Sequence, residues 1–342
     1  MKIKGRRVHL AGSADAATPD PLLRYAHDVI DKLVRTFAAA GATFLVGVGK
    51  EPPARLDDST SPSIIFDWTA LAAAHECLCS GDVAADGPQG RLIAALVTEK
   101  TDRQIPTGRR DLWRGLRHAG AVKLEYTEPG WVSGAVRRIR QAQLGDILIG
   151  LSGGEGVEHL AQLYVAAGKP VIPLDLAIGS SMHDGSGGAA RLARAARAHP
   201  TRFVHLADPD AAADLLARTA TQQGQAEVSE VVAAVMDLIL ALEPPSAFYV
   251  RLLNDAEPDY EAVERFFRRV VDPTVARLGY RTIEMGRGVN NFAWLNEAIF
   301  DRLHYSSVAV VDLRASQTIT SPKRRVRGRR CPRTTSRAPA VA

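Results

Sequence analysis

Cysteine is scarce in this chain. Three residues, Cys77, Cys79 and Cys331, are spread over 342 positions, which gives neither a disulfide framework nor the paired spacing of a zinc site. Cys77 and Cys79 are two apart and diverge on a helix, so no metal is expected and a reducing cytoplasm is the expected setting. A long apolar run is also missing. Nothing approaches the ~20 consecutive apolar residues that cross a bilayer, so no membrane partner is expected. The start, Met-Lys-Ile-Lys-Gly-Arg-Arg, is basic but lacks the apolar stretch of a signal peptide.

Acid is missing from the last stretch. Residues 317–342 carry one Lys, seven Arg and no Asp or Glu, so the net charge of +5 sits in that segment and the rest of the chain stands at −3. The segment is rich in Pro, Arg and Thr and has no apolar periodicity, the composition of a disordered basic tail. One reading makes it a nucleic-acid-binding arm, although nucleic acid is not the expected partner. The other makes it an out-of-frame translation joined near 314–317, because Arg, Pro, Ala, Thr and Ser dominate, as in GC-rich DNA read in a wrong frame.

What is present is a soluble, globular composition, 46% hydrophobic and 24% charged, long enough for two domains. Strand and helix patterns alternate from the start. Strands are expected at 8–11, 43–48, 92–97, 122–126, 147–151 and 170–174. Helices are expected at 21–40, 64–79 (after a strand end), 109–118, 132–143 and 155–167, with Gly41 capping the first. Repeated β-α-β units with short connections predict an α/β fold with a doubly wound, parallel, Rossmann-like sheet. Two helices follow, near 208–222 and 228–242, and then a Pro-Pro linker. A second α/β unit has strands at 248–253, 280–285 and 308–313 and helices at 259–278 and 291–305. Three strands make an incomplete flavodoxin-like unit with an exposed sheet edge. The expected organisation is therefore 1–206 for the nucleotide-binding domain, 207–246 for a helical connector and linker, 247–316 for the partial second unit, and 317–342 for the tail.

The strongest local signal is Ile-Leu-Ile-Gly-Leu-Ser152-Gly153-Gly154-Glu155-Gly156-Val157. An unbroken apolar strand runs into a glycine turn and then a helix, whose first amide N–H groups have no intrahelical partner and lie at the positive end of its dipole. That is a phosphate cradle. Gly12 and Ser13 follow the first strand and sit at the same sheet end. The expected nucleotide contacts are Gly12, Ser13, Ser152, Gly153, Gly154, Glu155, Gly156 and Val157. Glu155 and Glu158 also complement the helix dipole. The basic face Arg137, Arg138, Arg140 reads as solvated, or as paired with a ligand phosphate. The loop 178–188, with Ser180, Ser181, His183 and Asp184, is placed to cover the site. In the second unit Arg251, Arg287, Asn290 and Asp312 are the expected ligand contacts.

Residues 6–206 resemble the SLOG superfamily, which includes phosphoribohydrolases once labelled lysine decarboxylases. The resemblance is carried by Ser152–Val157 against a motif Pro-Gly-Gly-x-Gly-Thr-x-x-Glu, by Ala-Gly-Lys169-Pro170-Val171-Ile172 and by Gly12-Ser13. Ser152 replaces the motif proline, Val157 its threonine and Leu160 its glutamate. Residues 248–314 resemble the start of a nucleoside deoxyribosyltransferase-like or TIR-like domain, in the Asn296-Glu297-Ala298-Ile299 helix and the strand ending at Asp312-Leu313. The acid-bearing helix that would follow such a strand is absent.

These resemblances imply a nucleotide-binding sensor for NAD, an ADP-ribose derivative or AMP. It would be coupled to an N-glycosidase-like effector in bacterial antiviral defence, with a homo-oligomer expected. The alternatives are a phosphoribohydrolase, for which no catalytic residue is assigned, and a nucleic-acid-binding protein acting through the tail.

Overall fold

The computed structural model describes residues 3–54, 61–87, 90–127, 133–176, 178, 188–206, 209–219, 226–244, 246–251, 256, 258–284, 306 and 308–312. The expected helix 291–305, the tail 317–342 and most of the loop 178–188 lie outside them.

Six strands form one parallel sheet: β1 (Arg7–Ala11), β2 (Thr43–Gly47), β3 (Ile93–Val97), β4 (Val122–Tyr126), β5 (Ile147–Leu151) and β6 (Val171–Leu174). In space their order is β4-β3-β2-β1-β5-β6. The chain starts in the middle, builds outward to β4, and returns to the other side of β1. Val8 pairs with Phe44 on one side and with Ile147 on the other. All five residues of β2, β3 and β5 are buried, as unbroken apolar runs require when helices cover both faces. β4 is an edge, with Lys123 and Tyr126 exposed, and a charged edge residue discourages pairing with another chain.

Right-handed crossovers place the helices of the two directions of growth on opposite faces. On one face α1 (Asp20–Ala39) packs on α2 (Asp67–Cys79), and α2 on α3 (Arg110–His118). On the other, α4 (Ser133–Leu144) packs on α5 (Glu155–Ala166), and α5 on α6 (Gly188–Ala198). Strand alternation divides the side chains to match. Phe44, Val46, Ile93 and Ala95 enter the main core, while Leu45, Ala94 and Leu96 form a separate cluster with Leu144 of α4.

Helix α1 buries Leu23, Val29, Ile30, Leu33 and Phe37 along one stripe. It ends as the sequence implies. Gly41 has φ +84°, its N–H donates to Ala38 O at 2.8 Å, and Ala42 N–H donates to Phe37 O at 2.9 Å, a Schellman closure. Helix α4 is closed differently. The Lys169 ammonium donates to the carbonyls of Ala142 (2.7 Å), Gln143 (3.2 Å) and Gly145 (2.7 Å), which places a cation on the negative end of the helix. Burial pushes this lysine below its ordinary pKa.

Helices α7 (Pro209–Thr219) and α8 (Val228–Ala241) follow, and α8 packs against α1. A second, small sheet has β7 (Ser246–Val250) between β8 (Arg281–Glu284) and β9 (Val308–Val311), all parallel. Its core is Ala247, Tyr249, Val263, Phe267, Val271 and Val275. The single helix expected over 259–278 is interrupted. Tyr260–Phe266 and Asp272–Arg277 are α-helical, and Phe267–Val271 between them is a π turn. Pro273 has no N–H to offer the carbonyl one turn back, and its ring crowds that carbonyl. The turn just before it widens in response. No helix among the described residues is long and apolar enough to cross a membrane.

Candidate functional site

Strands β1 and β5 lie side by side, and the chain leaves them in opposite directions. A crevice opens at such a point beyond the carboxyl ends of the strands. The two glycine turns meet there, with Gly153 N–H donating to Ser13 O at 2.8 Å. The approach is close. A Cβ on Gly12 (φ +154°) would lie 1.6 Å from the Leu151 carbonyl oxygen. Gly153 has φ +76° and Ser152 φ +49°, so Ser152 holds a left-handed backbone without being glycine. Ala189 N–H donates to Ser152 O at 2.9 Å, which lays the start of α6 against the same loop.

Helix α5 begins at this loop, with Gly154 as its cap and no side chain capping it. Glu155 is exposed. Glu158 is engaged elsewhere: its carboxylate accepts Gly188 N–H at 2.9 Å and lies 3.5 Å from Arg191, joining α5 to α6. Val157 is buried, packed under Gly150 and Gly153. Leu160 is 3% exposed and belongs to the main core. The position of the motif glutamate therefore faces the core and not the crevice.

A second group of polar residues lies at the carboxyl end of β2. Asp67, the first residue of α2, accepts Gly47 N–H at 3.0 Å. A Cβ placed on Gly47 would lie 2.8 Å from Arg137 Nη2 and 3.3 Å from each carboxylate oxygen of Asp67, so the two charged groups stand within about 6 Å of each other. Burial pushes the Asp67 carboxyl from 3.8 up to about 6, and the Gly47 N–H and Arg137 only partly offset it. The basic face of α4 is thus resolved into three fates. Arg140 pairs with Glu125 at 2.8 Å. Arg138 donates to His159 Nδ1 at 2.9 Å and lies beside Gly156 at the start of α5. Arg137 points to Gly47 and Asp67.

Beneath this site His9, in the middle of β1, is 2% exposed. Its Nδ1 lies 3.2 Å from the Tyr164 hydroxyl and its Nε2 3.4 Å from Gln141 Nε2, while the Tyr164 hydroxyl donates to Gln141 O at 3.2 Å. The network is satisfied when Nδ1 carries the proton and Nε2 accepts from Gln141. Burial, with Arg137 nearby, lowers His9 from 6.5 to about 3, so the ring is neutral at ordinary pH.

Asp67 is the residue that sequence reasoning missed. Its only signal is an acid opening the helix that follows a strand ending in glycine, a pattern that ordinarily reads as a dipole complement. Of the expected second-unit contacts, Arg251 is engaged by Glu264 at 2.8 Å and by Glu284, and stacks over Phe267 at 5.0 Å. Asp312 follows β9 and its N–H donates to Val250 O at 2.8 Å. Arg287, Asn290, Ser180, Ser181, His183 and Asp184 lie outside the described residues. Among the described residues no cluster of His, Cys, Asp and Glu is suited to a metal.

An open parallel sheet whose crevice is lined by glycine turns and the start of a helix defines a Rossmann-like, nucleotide-binding α/β protein. More narrowly, the chain belongs to the family described as ATP nucleosidase Cap17-like, N-terminal, whose family model matches residues 3–239. No curated protein matches the sequence significantly. A solved structure, the molybdenum cofactor carrier protein MCP from Chlamydomonas reinhardtii, is similar over 69% of this chain and 98% of its own, at 15% identity and a TM-score of 0.35.

Proposed function

We propose that this protein hydrolyses the N-glycosidic bond of an adenine nucleotide such as ATP, and that the reaction occurs at the crevice beyond β1, β2 and β5. The observation that carries the reading is the Asp67 carboxyl, raised to about 6 and set beside Arg137 at the end of β2. The family name, with its nucleosidase activity, agrees with it.

In this reading the amides of Gly154–Gly156 and the guanidinium of Arg138 hold phosphate, and Gly12 and Ser13 form the opposite wall. Arg137 fixes the ribose phosphate against the sheet end. The C1′–N bond breaks and its electron pair leaves with the base, which takes a proton from solvent. The Asp67 carboxylate faces the oxocarbenium-like sugar and accepts a proton from the water that adds to C1′. Asp67 then returns that proton to solvent. The products are free base and the ribose phosphate. A base with a pKa near 6 is largely ionised at neutral pH yet remains basic enough to take the proton.

Glu158 is not assigned this role, because it is tied to Gly188 and Arg191. A second reading, a nucleotide sensor without turnover in this domain, is favoured by one observation: Leu160 occupies the core where the SLOG-type motif carries an acid. The unit 247–316 would then be the deoxyribosyltransferase-like or TIR-like effector.

The test is release of free base by the full chain from ATP, AMP and NAD, followed by chromatography. Turnover lost by about 100-fold or more in Asp67→Asn and in Arg137→Ala, with Glu158→Gln retaining most of it, supports hydrolysis at this site. Nucleotide binding without any base released favours the sensor.

A further inference from the structure

A cavity of about 560 Å³ lies away from the crevice between β1 and β5, two strands out, along α3 and the segment after β3. It is lined by Ile105 and Trp113, by Arg110, Arg114 and Arg117, and by His118, with Asp102 the one acid among its described lining residues. The three arginines are spaced i, i+4 and i+7, so they share one face of α3, and all three are exposed. Arg114 is 3.2 Å from Asp111. Arg110 and Arg117 make no ion pair among the described residues. The charge is not a reflection of composition, because the chain outside residues 317–342 is net negative.

A second observation is independent of the charge. Trp113 is 5% exposed, and its indole nitrogen is buried without a hydrogen-bond partner among the described residues. Trp68, by contrast, donates to Gly49 O at 3.1 Å. A buried donor left unpaired is unfavourable, and the residue that carries it lines this cavity.

We propose that this cavity is a second ligand site, for an oligophosphate: a chain of two or three phosphate groups, free or carried on a nucleotide. Guanidinium groups match phosphate oxygens in paired hydrogen bonds. The stripe from Arg110 to Arg117 runs about 10 Å at 1.5 Å per residue, the reach of two or three linked phosphates. A nucleic-acid strand fits less well, because such sites present exposed aromatic faces for base stacking. Trp113 is the one Trp, Tyr or Phe among the described lining residues and it is buried.

Calorimetry on the full chain tests this with inorganic tripolyphosphate, pyrophosphate, orthophosphate and ATP. Tripolyphosphate should bind at least about tenfold more tightly than orthophosphate. Arg110→Ala/Arg117→Ala should lose at least about tenfold of that affinity while melting at the wild-type temperature, and Arg137→Ala should keep it. The indole N–H resonance of Trp113, assigned by its loss in Trp113→Phe, should move during the titration. Equal affinity for tripolyphosphate and ATP in the Arg137→Ala background supports recognition of the phosphate chain alone; tighter ATP supports a nucleotide carrier. The proposal falls if the double variant binds like wild type, if Arg137→Ala abolishes tripolyphosphate binding, or if a single-stranded oligonucleotide binds more tightly than tripolyphosphate through the same arginines.

Discussion

Asparagine at position 67 should make this protein more stable and less active. The carboxyl is raised from 3.8 to about 6, roughly two units, which is a penalty of about 3 kcal/mol on its ionised form in the folded state. Asparagine keeps an oxygen for the Gly47 N–H and removes the charge. The attraction to Arg137 is already contained in the net shift. The sign follows from proton uptake. Between pH 3.8 and about 6 the folded protein holds a proton that the unfolded chain has lost, so the Asp67 contribution falls as pH rises across that window and is flat above it. Asp67→Asn should therefore gain up to about 3 kcal/mol over wild type at pH 7.5, with the difference vanishing near pH 3.8. Urea unfolding of both proteins at several pH values reads this difference directly, and the same samples assayed for free base should show the loss of turnover. His9 shifts in the opposite direction, so the comparison with wild type and not the wild-type curve alone isolates Asp67. A variant that is less stable at pH 7.5, or a gain that does not change between pH 4 and 7.5, would refute the reasoning.

Four further outcomes are expected. His9, lowered from 6.5 to about 3, is neutral when folded, so its contribution to stability should fall as pH drops below 6.5, by about 3 kcal/mol at pH 4; in wild type the opposite change at Asp67 offsets most of this, so the acid limb should appear in unfolding curves of Asp67→Asn and be missing from Asp67→Asn/His9→Leu. Base release by wild type should rise with pH through about 6 as Asp67 ionises, and a flat profile from pH 5 to 8 would exclude Asp67 as the base. Lys169→Met removes three donors from the end of α4 and should cost about 1–2 kcal/mol in urea unfolding, with turnover also reduced because Arg137 rides on that helix. Gly12→Ala drives a methyl into the Leu151 carbonyl; a loss of more than about 3 kcal/mol, or no soluble protein, is expected.

The fold was legible because buried parallel strands have no polar alternation to hide. Residues 43–48 and 147–151 read as strands from their composition alone, and Gly41 marked the end of α1 by its conformation. The meeting of Gly12-Ser13 with Ser152–Gly154 was also legible, since both turns follow strands whose carboxyl ends share one edge in this topology. Asp67 was not. Its partners are a backbone N–H 20 residues earlier and an arginine on the far helix, and no local pattern connects them. Arg137, Arg138 and Arg140 look alike in sequence, and only the placement of α4 separates a residue that meets Asp67 from one that holds Glu125. The π turn at Phe267–Val271 was missed because periodicity reports a continuous stripe across it, while Pro273 acts on the hydrogen-bond ladder.

The pairing of β1 with β5 carries a cost in time. Arg7 N–H bonds to the Asp146 side chain across 139 residues, and the central strand lacks one neighbour until that distant segment exists. Contacts of such long separation slow folding. On a ribosome adding roughly 5–20 residues per second, β1 waits about seven to thirty seconds for its partner. During that interval one edge of β1 is bare and the Gly12 turn has no loop to face. The crevice is therefore assembled only when nearly half of the chain has been made, as the fifth strand joins the first.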